Sequence, residues 1–181
     1  MAQDPVAPRP DAEERRPTAL LLVFTWDLVL SVGLVLLAFA VFAGSRERGG
    51  QTVPIPIAVQ IFQALAYAAL ATALFLVGTM LTRRMRWVRR AQIVILAMHM
   101  VLLAASLSVQ LLTDESSRSL GIVLGAAVII LLDALAMLAM TERRVVVWFD
   151  EPGEVPFYVG ALIAFWAATS TAFFVTGLVT Q

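Results

Sequence analysis

Three side chains able to carry charge stand inside long apolar runs of this sequence: Asp27, His99 and Asp133. An ionisable group near the centre of a bilayer costs about 2.5–3.5 kcal/mol on insertion scales, so such residues are informative wherever they occur. Counted at 1.5 Å per residue from the arginine-rich end of each run, Asp27 and His99 lie ~12 Å deep and Asp133 ~10–12 Å. The shared depth predicts one layer. If the first, third and fourth runs meet in it, His99 sits between two carboxylates, which is a proton-binding cluster. The plainer expectation is that Asp27, next to Trp26, reaches interface water and that Asp133 is held by a structural hydrogen bond.

The other polar groups in the runs follow helical spacing. Gln92, His99, Ser106 and Gln110 are separated by seven, seven and four residues, and at 100° per residue they fall within about 40° of one another. Gln60, Gln63 and Tyr67 lie three and four apart on the preceding run, level with Ser106 and Gln110. Hydrogen bonds between the two stripes, worth roughly 1 kcal/mol each, are the expected use, with a water-filled path as the alternative. Small residues mark places where backbones can approach. Gly121 and Gly125 form a GxxxG pair, and Gly160, Ala164, Ala168 and Ala172 recur every four residues. Each set serves either a contact within the chain or a face for a partner.

The residues needed for most catalytic and cofactor chemistry are missing. Cys is absent and His99 is the single histidine, which excludes disulfides, zinc clusters, iron–sulfur ligation and bis-histidine haem within this chain. Met98, His99 and Met100 point about 100° apart in turn and cannot converge on one ion, and a His–Met haem would need a methionine from elsewhere, such as Met137. No phosphate loop, HExxH motif or nucleophile paired with a base is found, so neither an enzyme nor a cofactor is expected. Thirteen basic residues, all Arg, balance thirteen acidic ones, leaving no field to recruit nucleic acid.

The elements that must carry these residues are set by composition. Of 181 residues 60% are hydrophobic and 14% charged, with a mean hydropathy of +0.87, which no water-soluble globule of this size sustains. Five apolar runs, Ala19–Ala43, Ile57–Leu81, Ala91–Leu112, Leu120–Met140 and Phe157–Val179, are 21 to 25 residues long. About 20 helical residues cross a ~30 Å hydrocarbon core, and continuous apolarity excludes the alternation of a barrel strand. The first run is too long for a signal core.

The fold class expected is therefore all-α, a polytopic transmembrane helical bundle with five spans. It divides into a disordered cytoplasmic tail (1–18), a four-helix transmembrane core (19–140), a cytoplasmic or interfacial linker (141–156) and a fifth transmembrane helix (157–181). With the tail inside, ten arginines lie on the cytoplasmic side and three outside, so the N-terminus is placed in the cytoplasm and the C-terminus outside. Arg83, Arg84, Arg86, Arg89 and Arg90 with Trp87 read as a topology anchor at headgroup level. Val145–Phe149 is expected to lie in the interface, with a short strand docking a partner as the alternative, and no internal repeat is found. All-Arg basic content with abundant Ala and Val matches a high-GC bacterial genome, so the expected location is the bacterial cytoplasmic membrane.

The partners expected are the lipid bilayer and either a membrane-protein partner or a second copy in a homo-oligomer. The leading functional expectation is a non-enzymatic accessory, assembly or interaction component acting through helix–helix contacts. The alternative is a small transporter or channel coupled to protonation of Asp27, His99 and Asp133.

Overall fold

The computed structural model describes residues 17–43, 45–48, 51–54, 56–113 and 120–179, without the side chains of 45–54, 109–110, 112–113, 174 and 176–179. In chain order these form α1 (Thr18–Ala40) with a 3-10 turn (Val41–Ala43), β1 (Ser45–Arg48), β2 (Gln51–Pro54), α2 (Ile57–Met80), α3 (Arg86–Thr113), α4 (Leu120–Thr141), α5 (Arg143–Trp148) and α6 (Phe157–Val179). Among the described residues four helices, α1 to α4, are long and apolar enough to cross a membrane. The expected tail, 1–18, lies outside the described residues except for Pro17 and Thr18, which open α1.

Proline punctuates the helix starts. Pro17, Pro56 and Pro156 stand directly before α1, α2 and α6, and their carbonyls accept the amides of Leu20, of Val59 and Gln60, and of Val159 and Gly160. A proline lacks an N–H, and the first turn has amides to spare, so the residue starts a helix where it could not continue one. Hydroxyls within the helices fold back on the preceding turn: Thr25, Thr72, Ser108 and Thr171 each donate to the carbonyl four residues earlier. A hydroxyl satisfied by its own helix can face hydrocarbon without an orphaned donor.

The segment between the first two apolar runs contains a short antiparallel hairpin, pairing Ser45 with Pro54 through Arg48 with Gln51. It lies outside the apolar runs and leaves the helical architecture intact.

Helices α1 to α4 close into a ring, in which α1 neighbours α2 and α4, and α3 neighbours α4 and, more lightly, α2. Opposite corners are thus α1 with α3 and α2 with α4. Each inward stripe is legible in spacing: Leu20, Val23, Asp27, Leu30, Ser31 and Leu34 on α1, and Ala126, Asp133, Ala136 and Met140 on α4 are buried. The most enclosed helix is α2, whose Ala66, Ala69, Ala73 and Gly78 let neighbours approach on several sides. The Ser31 hydroxyl donates to the Ala71 carbonyl at 3.1 Å, tying α1 to α2.

Helix α6 packs on the outside of α2 and touches α3, with Val159, Trp166 and Thr169 buried. Whether this last helix joins the bundle was open in the sequence; in the structure it does.

The arginine-rich end is more organised than the linker expected at 141–156. Val145–Phe149 does not form the short strand held as the alternative. Its residues fall in and just after α5, with Val145 and Phe149 buried in the common core beside Met140 and Val88. Two backbone bonds join the α2–α3 turn to the segment after α5: Arg86 N–H to the Glu151 carbonyl and Glu151 N–H to the Arg84 carbonyl, both 3.0 Å. Apolar residues at i and i+4 of a short helix bury one face here because the docked turn supplies the opposite wall.

Candidate functional site

The three ionisable residues of the runs converge at the centre of the ring. The His99 Nδ1 lies 2.7 Å from Asp133 Oδ2, joining α3 to α4. Trp26 Nε1–H donates to Asp133 Oδ1 at 2.8 Å, joining α1 to α4. Gln92 Nε2–H donates to Asp27 Oδ1 at 2.7 Å, joining α1 to α3 across the diagonal of the ring. Asp133 and Gln92 are fully buried and Asp27 is 1% exposed, whereas Trp26 is half-buried and His99 keeps 12% side-chain exposure.

Two details differ from the expected layer. His99 does not bridge two carboxylates: Asp27 takes Gln92 instead. The reason is rotational, since Trp26 and Asp27 are adjacent and point about 100° apart, so Trp26 faces α4 while Asp27 faces the interior. The network also takes in a fourth polar residue, Gln92. Gln92 and His99 are two turns apart on α3, so the cluster spreads over ~10 Å of helix.

All four ring helices contribute at Asp27. Gly78 of α2 is so close that a β-carbon there would stand 3.3 Å from Asp27 Oδ2 and 3.5 Å from its Cβ. Gly78 carried no signal in the sequence, because a glycine near a helix end reads as a terminus. Trp26 was visible only as a neighbour of Asp27; its matching depth with Asp133 was the available clue.

The stripes behave differently. Gln60 is buried, but Gln63 donates to Tyr67 of its own helix at 3.1 Å, and among the described residues no hydrogen bond crosses from Gln60, Gln63 or Tyr67 to Ser106. Among the described residues the expected α2–α3 glue is not found at Ser106, where α3 packs chiefly on α4 and only lightly on α2. The side chain of Gln110 lies outside the described residues. Gly121, Gly125, Gly160, Ala164, Ala168 and Ala172 are all exposed. A β-carbon on Gly121, Gly125 or Gly160 would meet nothing within 4 Å. At these three glycines the close approach of a neighbouring helix that the spacing allowed is not used within the described chain.

At the arginine-rich end the cations are partly engaged. Arg86 donates to the Asp150 carbonyl at 2.9 Å and to its carboxylate at 2.7 Å, Arg89 caps the end of α4 through the Met140 carbonyl at 3.1 Å, and Arg84 lies 4.3 Å over the Trp148 ring. A groove of ≈ 360 Å³ between α1 and α2, walled by Leu28, Val32, Leu36 and Phe75, is apolar and includes no member of the buried cluster.

Comparison of the chain with protein-family models, with curated proteins and with solved structures finds no match. The fold and the cluster by themselves define a helical protein with four helices suited to spanning a membrane and a polar network at the centre of their ring.

Proposed function

We propose that the protein is a five-span component of the bacterial cytoplasmic membrane, with its N-terminus in the cytoplasm and its C-terminus outside, that works through helix–helix contacts rather than catalysis. It serves as an accessory or assembly element, joining a second copy or another membrane protein. The observation carrying this reading is that Gly121 and Gly125 on α4 and Gly160, Ala164 and Ala168 on α6 stay on the outside of the bundle, with open space above all three glycines.

In hydrocarbon, association gains nothing from excluding water and depends on close packing, which small residues permit. The chain uses other small residues, those of α2, for its own core. The α4 and α6 faces therefore remain available to a helix from outside. The chain contains no Cys, so a single Cys introduced at Ala164 is a clean crosslinking probe in native membranes. The expected result is a crosslinked species containing a second copy or a membrane-protein partner, weakened by Gly160→Leu. Recovery of monomer alone would remove the reading.

A further inference from the structure

Two buried acceptors at the centre of the ring have no donor: Oδ2 of Asp27 and Oε1 of Gln92. They belong to the same pair, already joined by the bond from Gln92 Nε2 to Asp27 Oδ1. A carboxylate offers only acceptors, and the amide oxygen is an acceptor too, so the second halves of the two groups have nothing to share. One proton changes that, because a carboxylic acid and a primary amide are complementary in both halves.

Among the described residues no other donor reaches either atom. From α2 the neighbour is Gly78, and the only titratable residue along that helix is Tyr67. From α3 come Gln92 and His99, and His99 is committed to Asp133. From α4 comes Asp133, within electrostatic reach of Asp27 and with its oxygens already taken by Trp26 and His99. On α6 the only titratable residue is Tyr158. Of the arginines nearest in sequence to Gln92, Arg90 is exposed at the helix end, Arg86 is held on Asp150 and Arg89 on the Met140 carbonyl. Two carboxyls against one imidazole leave the fully ionised cluster one positive charge short.

The geometry points to a proton-binding site at the Asp27–Gln92 pair: a single exchangeable proton on Asp27 Oδ2 closes the pair into a two-bond ring with Gln92. Binding takes the proton from water or hydronium onto Oδ2 and removes the uncompensated charge; release returns it and leaves Asp27 ionised with Oδ2 unpaired. Because Trp26 holds Asp133 from the residue beside Asp27, occupancy bears directly on the packing of α1 against α4. A metal ion needs several oxygen ligands around it, and the α2 neighbour beside Oδ2 is Gly78, which has no side chain to supply one. Among the described residues no three His, Cys, Asp or Glu side chains are grouped to hold one.

The test uses the full chain in lipid nanodiscs, followed by infrared difference spectra between acid and alkaline buffers at constant sodium. The expected result is a carboxylic-acid C=O band that disappears on alkalisation, shifts in deuterated water, is lost in Asp27→Asn and persists in Asp133→Asn. Asp27→Asn is the favoured variant because its amide donates where the proton would, preserving the ring. Should it not fold, Gln92→Leu supplies a second readout, moving the band to the position of an unbonded acid. A wild-type spectrum without the band, a band unchanged in Asp27→Asn or unmoved in Gln92→Leu overturns the proposal. So does a band abolished by replacing choline with sodium at fixed pH, which assigns the site to a monovalent cation.

Discussion

Trp26 and Asp133, 107 residues apart in the chain, are joined by a 2.8 Å hydrogen bond that ties the first helix of the ring to the fourth. The carboxylate also receives His99, so one buried acid holds three helices together. Interhelical hydrogen bonds in membranes average about 0.6 kcal/mol and reach about 1.7 kcal/mol. Trp26→Phe removes the donor and keeps most of the ring, so a loss of about 1 kcal/mol is expected in reversible unfolding from bilayers. An unchanged unfolding midpoint would show that Asp133 is held by His99 alone.

Glycine-to-alanine substitutions should separate the buried from the outward positions. Gly78→Ala places a methyl 3.3 Å from Asp27 Oδ2 and 3.5 Å from its Cβ, forcing α1 and α2 apart by a few tenths of an ångström. Destabilisation of about 1 kcal/mol or more is expected, as for other overpacked cores. Gly125→Ala and Gly160→Ala meet no atom within 4 Å and should be neutral or stabilising, by up to about 1 kcal/mol from helix propensity. Equal effects at all three positions would contradict the packing described.

The docked turn at the arginine-rich end should survive loss of its ion pair. Arg86 and Asp150 are 56% and 82% exposed, so Arg86→Gln should cost no more than about 0.5 kcal/mol. The backbone bonds between Arg84, Arg86 and Glu151 persist, and hydrogen exchange at the Arg86 and Glu151 amides should stay slow in the variant. Fast exchange at both would mean that the side-chain pair, and not the backbone, holds the turn.

Topology is the most direct check on the proposed five spans. A phosphatase fused at the C-terminus should be active outside the cell and a fluorescent protein at the same place dark, while fusions after Arg90 should give the reverse. A fluorescent C-terminal fusion would put both ends of the chain in one compartment and reduce the spanning helices to four.

The apolar runs and the Arg content of the segments between them carry the helical architecture in the linear chain, because hydrocarbon as solvent forces backbone groups to pair locally and makes length and hydropathy sufficient. The ionisable residues were equally legible, since their cost in an apolar run does not depend on what lies nearby. Their partners were not. Asp27 takes Gln92 because Trp26 turns away toward α4, a consequence of how α1 is rotated in the ring and not of depth alone. Small-residue spacing likewise named GxxxG-like stripes that face outward, whereas the close approaches fall on Ala69, Ala73 and Gly78 of α2. Spacing shows which residues share a helix face; only the packed ring decides which face is covered, because that depends on the rotation of every helix against its neighbours at once.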